Sequence, residues 1–243
     1  MPTITHVFDG KSIQGALGPM MARGGEGVIY PLAGRPDILV KCYHPDVLQK
    51  RGNSLQKKVA FMHAISQEMT GKPLAWPMIS VYANRYRREW LGYAMKRRDG
   101  VPMQYLAHAI LHEKHFHGLD RLQVTAYLLS AIRAIRQLHR MGISIGDYNL
   151  QNFLCDPHSD SVSLIDCDSY QIRRDGEHYA CPVGSPDMTP PEHQGQPFEQ
   201  VIRTPESERF SLAIILFKCL MLGRHPYDVV GGSDPVSNIQ NGN

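Results

Sequence analysis

The chain has 243 residues, of which 42% are hydrophobic and 20% are charged, and its formal net charge is +3. This length and apolar content suffice for two small lobes, each with a core of its own. The low net charge gives no reason to expect a nucleic acid or another polyanion as a partner. The five cysteines stand without a Cys-x-x-Cys pair, which argues against a zinc ribbon or a disulfide framework and favours a reducing compartment.

The N-terminal part of the chain is rich in short apolar stretches that predict β-strands. They cover residues 16–22, 27–32, 38–43, 77–82 and 90–95. Residues 54–67, between the third and fourth stretches, predict a helix, and the hydroxyl of Ser54 is suited to cap it. The pattern therefore predicts a small antiparallel sheet with one main helix.

A glycine-rich segment joins the first two predicted strands. Residues 20–30 read MMARGGEGVIY. Glycines allow backbone amides to approach phosphate oxygens because no Cβ intervenes, although a plain hairpin turn is the alternative. The strand at residues 38–40 then leads into Lys41. A lysine in a buried strand needs an anion such as phosphate, whereas a surface lysine on an edge strand does not.

The middle of the chain combines a predicted helix with a run of oxygen-bearing side chains. Residues 119–140 have helical spacing. Residues 145–168 read IGDYNLQNFLCDPHSDSVSLIDCD, with Asp147 and Asn152 on one loop and Asp166 at the end of an apolar strand. Such oxygens suit a phosphoryl-transfer site that holds Mg²⁺, while each residue taken singly also suits an ordinary turn. The apolar stripe predicted on the helix consists of Leu122, Ala126, Leu129, Ile132, Ile135 and Leu138.

Two segments follow this run. Residues 183–192 read VGSPDMTPPE, in which two prolines fix an extended turn before Glu192. Residues 208–222 read ERFSLAIILFKCLML and are apolar on nearly every side, as expected of a helix at the centre of a domain. Lys218 interrupts this run, which is too short to span a bilayer.

Taken in order, these segments resemble the bacterial eukaryotic-type Ser/Thr protein kinases over about residues 16–227. The glycine segment resembles G-x-G-x-x-G-x-V, with Ala22 in place of the first glycine. Residues 147–152 resemble D-x-x-x-x-N, and VGSPDMTPPE resembles G-T-P-x-Y-x-A-P-E. The phrases GGEGVIY, GDYNLQN, LIDCDSYQ and ERFSLA are similar to a branch associated with tellurite-resistance-type gene clusters.

The resemblance implies an α+β, protein-kinase-like two-lobed fold. Residues 1–95 would form a small antiparallel β N-lobe with one main helix, residues 96–100 a hinge, and residues 101–243 a helical C-lobe that is incomplete at its C-terminal end. The implied cofactors are ATP and Mg²⁺, with Mn²⁺ as a substitute. The implied catalytic residues are Asp147, Lys41 and Asn149, and the implied metal ligands are Asn152 and Asp166. The implied nucleotide-binding residues are Gly24, Gly25, Gly27, Ile29, Val40, Lys41, Met95, Lys96, Arg97 and Arg98.

The chain departs from the kinase pattern in ways that bear on activity. Gln56 stands where a glutamate would pair with the nucleotide lysine, and a neutral amide holds a lysine less firmly. Either the activity is low, or Glu68 or another acidic residue takes the place of that glutamate. Asn149 stands in place of a lysine, and Asp168 in place of a glycine, where it is either a metal ligand or a turn cap. Gly146 replaces the arginine that would receive a phosphorylated activation segment, so we do not expect that switch. Glu208 stands where an aspartate anchors the catalytic loop.

Three functions are open at this point. The first is a Ser/Thr protein kinase of weak activity, which acts on a protein substrate or on itself. The second is a nucleotide-binding pseudokinase scaffold. The third is a small-molecule kinase of the aminoglycoside or choline type, against which VGSPDMTPPE argues. We expect partner proteins or a further domain to complete the C-lobe, and no nucleic acid or membrane contact. We also expect a cytoplasmic location, since the chain shows no leader and no spanning segment.

Overall fold

The structure is a computed structural model that describes residues 6–9, 14–86 and 89–242. The chain divides into two compact units, Met1–Arg98 and Asp99–Asn243. The first unit carries a large antiparallel sheet and a long helix, and the second carries helices together with two small sheets. The architecture is thus a mixture of α and β structure that is compatible with a kinase-like fold.

The sheet of the first unit has seven strands in the order β2-β1-β6-β7-β5-β4-β3. The bridge between Leu17 and Leu32 joins the chain after β2 to the end of β4, so the sheet curls back on itself. A hydrophobic cluster that includes Val40, Val81 and Ala94 packs on one face of this curled sheet. The strands are β1 (His6–Phe8), β2 (Gln14–Ala16), β3 (Ala22–Arg23), β4 (Gly27–Leu32), β5 (Arg35–Tyr43), β6 (Pro77–Tyr82) and β7 (Trp90–Lys96).

The long helix of the first unit, α1 (Pro45–Ala64), begins earlier than the sequence predicted. Pro45 occupies its first turn, where the missing N–H costs nothing, and Ser54 lies inside the helix with its hydroxyl bonded to the Arg51 carbonyl at 2.9 Å. The helix continues through this region because its buried side chains face β6 and β7. The prediction of a helix start at Ser54 is therefore wrong. The strand predicted at residues 16–22 is also interrupted, since Pro19 cannot donate to a ladder.

The second unit contains two three-stranded sheets, in the orders β11-β10-β8 and β13-β12-β9. The strands are β8 (Val101–Pro102), β9 (Ile143–Ser144), β10 (Phe153–Cys155), β11 (Val162–Leu164), β12 (Gln171–Arg174) and β13 (Glu177–Tyr179). The helices are α2 (Ala109–His115), α3 (Arg121–Arg140), α4 (Pro205–Leu220) and α5 (Pro235–Asn241). The predicted metal ligands flank the hairpin of β10 and β11, with Asn152 directly before β10 and Asp166 two residues after β11.

The two main helices of the second unit, α3 and α4, are each buried on one face. In α3 the predicted stripe is wrong at Leu122 and Leu129, which are 77% and 45% exposed, because the buried face is centred on Tyr127 and Leu128 instead. In α4, Ile214 and Ile215 are buried, but the last turn and the residues after it expose apolar side chains. That helix is therefore buried on one face only. The exposed side chains are Phe217, Leu220, Met221 and Leu222.

Within the described ranges, no helix has both the length and the apolar character needed to cross a membrane.

Candidate functional site

The glycine turn of the first unit connects β3 to β4. The Gly24 amide donates to the Gly27 carbonyl at 2.9 Å and closes the turn. A Cβ on Gly27 would lie 2.5 Å from the Cys42 carbonyl oxygen, so a glycine is needed there for packing against β5. A Cβ on Gly25 would meet nothing within 4 Å, and both Gly24 and Gly25 are exposed. The backbone at these two glycines is thus open to a ligand such as a phosphate.

This turn is also fastened to the start of α1. The Glu26 carboxylate forms an ion pair with Arg51 of α1. The ring Nε2 of His44, at the N-terminal end of that helix, lies 3.0 Å from the Gly24 carbonyl oxygen. The position of the glycine turn therefore depends on the position of the helix.

Lys41 lies in β5 with 6% of its surface exposed. In the sheet its direct neighbours are Ile29 on β4 and Tyr93 on β7, so these three side chains share one face. Its ammonium Nζ lies 5.3 Å from the ring centroid of Tyr43, within the range of a cation–π contact. The sequence predicted that Lys41 is a buried lysine that orients phosphates. Its burial on this face agrees with the first part of that prediction.

The residues next to Lys41 divide between the two faces of the sheet. Leu39 pairs with Met95, and both share the face of Lys41 because side chains alternate along a strand. Val40 instead packs in the hydrophobic cluster on the opposite face, together with Val81. This placement favours Leu39 over Val40 as a contact for a nucleotide.

The predicted hinge residues are partly engaged within the first unit. Lys96 ends β7 and is exposed. The Arg97 amide donates to the Asp37 carbonyl at 2.7 Å. The guanidinium of Arg98 donates to the carbonyls of Leu74 at 3.0 Å and Lys72 at 2.7 Å. Arg98 therefore holds the loop before β6, and its role toward a nucleotide stays a prediction.

Asp147 lies half-buried in the loop after β9. Its Oδ1 accepts a hydrogen bond from the hydroxyl of Ser185 at 3.3 Å. Burial raises the pKa of Asp147 above its ordinary value, while the Ser185 hydrogen bond and the charge of Arg203 lower this pKa and Asp187 raises it. A carboxylate with these neighbours is able to accept a proton from a hydroxyl group.

The carboxylate of Glu208, on α4, forms hydrogen bonds with the loop that carries Asp147. Glu208 is only 2% exposed, and Oε1 accepts the Gly146 amide at 2.6 Å. Oε2 accepts the Tyr148 hydroxyl at 3.0 Å and lies 2.6 Å from Nε2 of His139 on α3. The pKa of Tyr148 is raised well above its ordinary value by burial and by the Glu208 carboxylate, so the hydroxyl keeps its proton and donates it. Glu208 thus bonds the backbone of this loop, although the kinase pattern has an aspartate at this position.

Asn152 and Asp166 lie at the same end of the hairpin formed by β10 and β11. The Ile165 amide donates to the Asn152 carbonyl at 2.9 Å, and Asp166 follows in a left-handed conformation with φ of 57°. One amide and one carboxylate fit Mg²⁺, which usually keeps several waters and binds phosphates as well. The described residues form no group of three or more histidines, cysteines, aspartates or glutamates that could hold a metal, so water and phosphate would complete the ligand set.

Two further predicted positions have structural duties. Asn149 caps a short 3₁₀ turn, since its Oδ1 accepts the Gln151 amide at 2.9 Å. Asp168 lies in another 3₁₀ turn and is 2% exposed. Their catalytic roles stay predictions.

The sequence did not single out Ser185 or Arg203 as functional residues. Ser185 occupies the place of the threonine in G-T-P-x-Y-x-A-P-E, so the resemblance contained a usable signal. Arg203 had no such signal, because its partners come from distant parts of the chain.

The chain is similar to two proteins of Escherichia coli that carry the name protein kinase. No family model matches the chain. A protein of Escherichia coli strain K12 named "Protein kinase YegI" is 31% identical over 234 residues, which cover 95% of this chain and 35% of that protein. Its namesake in Escherichia coli O157:H7 is 31% identical over 217 residues, which cover 88% of this chain and 32% of that protein. The chain thus spans about a third of the length of the curated relatives it matches, and this homology supports a bacterial kinase-like protein.

Proposed function

We propose that this chain transfers the γ-phosphoryl group of ATP, in the presence of Mg²⁺, to serine or threonine hydroxyls of a protein substrate or of itself. The observation that carries the proposal is the hydrogen bond from the Ser185 hydroxyl to Asp147 Oδ1. It places a protein hydroxyl against the carboxylate that would accept a substrate proton. The part of the chain that the structure describes offers Oδ2 of Asp147 no hydrogen-bond partner, which leaves this oxygen for a substrate hydroxyl.

The other candidate residues have roles that follow from their chemistry. Asp147 orients the substrate hydroxyl and takes its proton, and a pKa raised by burial makes it a better base than an ordinary aspartate. Asn152 and Asp166 would hold Mg²⁺, and Lys41 would orient the phosphates. When bound, ATP would supply the phosphoryl group and Mg²⁺ would neutralise its charge, so the protein contributes mainly placement.

Two further observations support a protein substrate that presents a serine or threonine hydroxyl. The relatives in Escherichia coli carry the name protein kinase. In the chain itself, the segment VGSPDMTPPE contains Ser185, and its residues Pro186–Met188 form a 3₁₀ turn that the Ser211 hydroxyl of α4 fastens through the Met188 carbonyl at 2.6 Å. A substrate-side segment held in this way suits an extended peptide. The tellurite-cluster branch is proposed on the phrases quoted above alone.

The test is a phosphoryl-transfer assay with ATP, Mg²⁺ and a generic protein acceptor, run on wild type and Asp147→Asn. We expect the variant to lose about 10²- to 10⁴-fold in rate, the usual contribution of a general base. Asp160→Asn, at an exposed position in the β10–β11 turn, serves as the matched control and should behave as wild type. Equal rates for wild type and Asp147→Asn would remove the assigned base.

A pseudokinase scaffold is the second candidate, and the composition of α1 favours it. This helix contains no glutamate, Gln56 is half-buried, and Lys58 is buried on it. The neutral amide of Gln56 would hold a lysine less firmly for transfer than a glutamate at that position. Binding of ATP without any transfer, also with Mn²⁺, would identify the scaffold. Transfer to an aminoglycoside or choline but not to protein would identify a small-molecule kinase.

We also propose that a partner protein or a further domain covers the end of α4. Phe217, Leu220, Met221 and Leu222 expose apolar surface there, which soluble domains usually cover. A cytoplasmic location is supported by the five cysteines, which are all free and buried. Sedimentation of wild type and Leu220→Lys would test the first point, since the charged variant should associate less.

A further inference from the structure

Arg203 is a buried arginine at the entrance to α4. Only 7% of its surface is exposed. Its main chain is fixed by Gln171 of β12, whose side chain accepts the Arg203 amide at 2.9 Å and donates to the Arg203 carbonyl at 2.7 Å. The base of this side chain is therefore held as firmly as a residue of a β-ladder.

The guanidinium of Arg203 joins three backbone carbonyls. Nη1 donates to Cys181 at 2.9 Å and to Phe198 at 3.3 Å, and Nη2 donates to Val183 at 2.9 Å. The guanidinium also lies over the Phe198 ring, with Cζ 5.7 Å from the ring centroid. Val183 comes two residues before Ser185, so a bond that fixes Val183 also restricts the hydroxyl that contacts Asp147.

The same side chain occupies the space beside Gly146 in the catalytic loop. A Cβ on Gly146 would lie 2.8 Å from Arg203 Nε and 2.5 Å from Cys181 Sγ, and the residue has φ of +73°. Position 146 is where the kinase pattern has an arginine. Here a guanidinium reaches that place from a distant part of the chain.

Filling this space does not by itself require a positively charged side chain. Among the described residues Arg203 forms no salt bridge, and its hydrogen-bond acceptors are neutral carbonyls, so its charge acts on the Asp147 carboxylate only through space. Burial of a cation without a carboxylate partner costs free energy, and an apolar side chain would pack there at lower cost. A planar guanidinium, however, is able to bridge several acceptors at once.

We propose that Arg203 is a positioning residue for phosphoryl transfer: it clamps residues 181–183 to the catalytic loop beside Asp147, so that no phosphate on the activation segment is required. The inference rests on the proposed function. In this proposal the Arg203 side chain replaces the interaction between a phosphate on the activation segment and the arginine that binds it.

The test compares wild type with Arg203→Met, Arg203→Lys and the control Arg209→Met, which removes a cation whose side chain is 72% exposed on α4. Each protein is treated with phosphatase. Transfer from ATP with Mg²⁺ to a generic protein is then measured against pH, and amide hydrogen exchange is followed in residues 181–185. Melting curves identify any variant that does not fold.

We expect Arg203→Met to lower kcat about 100-fold with little change in the KM for ATP, since a misplaced segment costs about this much. The acid limb of the pH–rate profile should move to higher pH, because the charge of Arg203 lowers the pKa of Asp147, which Ser185 and Asp187 also influence. Arg203→Lys should keep the limb in place and restore part of the rate. Phosphatase should leave wild-type activity unchanged.

Wild-type rates and an unshifted limb in Arg203→Met would overturn the proposal, as would loss of wild-type activity on phosphatase treatment. Equal losses in the Met and Lys variants with an unmoved limb would show a merely structural role and would also overturn it. If Arg203→Met does not fold, Arg203→Lys takes its place in the test. A reduced transfer rate with faster amide exchange in residues 181–185 would support the proposal, and wild-type values of both would overturn it. Absence of transfer by wild type would contradict the proposed function, yet protection of residues 181–185 that Arg203→Met loses would still support the clamp.

Discussion

Substitution of Glu208 by alanine should destabilise the second unit and abolish the proposed phosphoryl transfer. The carboxylate accepts hydrogen bonds from the Gly146 amide and the Tyr148 hydroxyl and lies 2.6 Å from His139 Nε2. Alanine removes the acceptor for all three groups and leaves a void beside α4. The loop that presents Asp147 then loses the bond that fixes its backbone.

The expected cost follows from the burial of this cluster. A hydrogen bond to a charged group contributes about 1.5–3 kcal/mol, and the contributions of neighbours that share one carboxylate are not additive. Each buried donor that loses its acceptor costs about 1–3 kcal/mol. With Glu208 only 2% exposed and the Gly146 amide and the Tyr148 hydroxyl both losing their acceptor, we expect Glu208→Ala to lower the free energy of unfolding of the second unit by about 3–5 kcal/mol.

The assay has to report on the second unit. Both tryptophans, Trp76 and Trp90, lie in the first unit, so tryptophan fluorescence reports mainly there. Urea unfolding followed by far-UV circular dichroism, together with hydrogen exchange of the Gly146 amide, measures the relevant change. Glu206→Ala is the matched control, since it removes an exposed carboxylate from the same helical turn and should leave stability close to that of wild type.

A loss below about 1 kcal/mol for Glu208→Ala would refute the reasoning, because a single exposed interaction contributes that much. Rapid exchange of the Gly146 amide in wild type would refute it as well. Glu208→Gln separates charge from shape: it keeps one oxygen for Gly146 but offers an amide to Tyr148. Its stability should lie between those of wild type and Glu208→Ala.

Two further predictions concern the substrate side and the glycine turn. Ser185→Ala removes a hydrogen bond that lowers the pKa of Asp147, so this pKa rises further and the acid limb of the transfer rate moves to higher pH; an unmoved limb in a pH–rate profile would contradict the contact. Gly27→Ala places a Cβ 2.5 Å from the Cys42 carbonyl oxygen and should destabilise the first unit by about 1–3 kcal/mol in urea unfolding followed by tryptophan fluorescence. Gly25→Ala, whose Cβ meets nothing within 4 Å, should leave stability unchanged, and equal effects of the two substitutions would be evidence against this packing.

Four strands of the first unit, β4 to β7, were predictable because their signals are local. The predicted strands at residues 27–32 and 77–82 coincide with β4 and β6, and that at 90–95 falls within β7. The start of α1 was not predictable in the same way. Gly52, Asn53 and Ser54 look like a helix entrance, but packing against β6 and β7 carries the helix through them.

The residues of the candidate site differ in how far sequence could reach them. Asp147, Asn152 and Asp166 follow a fixed spacing within one segment, so a pattern could find them. The bond between Ser185 and Asp147 joins residues 38 apart, and that between Glu208 and Gly146 joins residues 62 apart. Glu208 was found only through the resemblance. Contacts of this kind depend on tertiary packing, which periodicity and composition do not encode.

Gly146 explains why two distant residues converge on one loop. Glu208 binds the amide of Gly146, while the guanidinium of Arg203 fills the space where a side chain of residue 146 would lie. Both residues belong to the start of α4 or to the chain just before it, and Thr204 and Ser207 cap that helix between them. A side chain at position 146 would displace Arg203, and a missing carboxylate at 208 would free the amide. The capped end of α4 thus sets the conformation of the loop that carries Asp147, and a glycine at position 146 is the condition for both contacts.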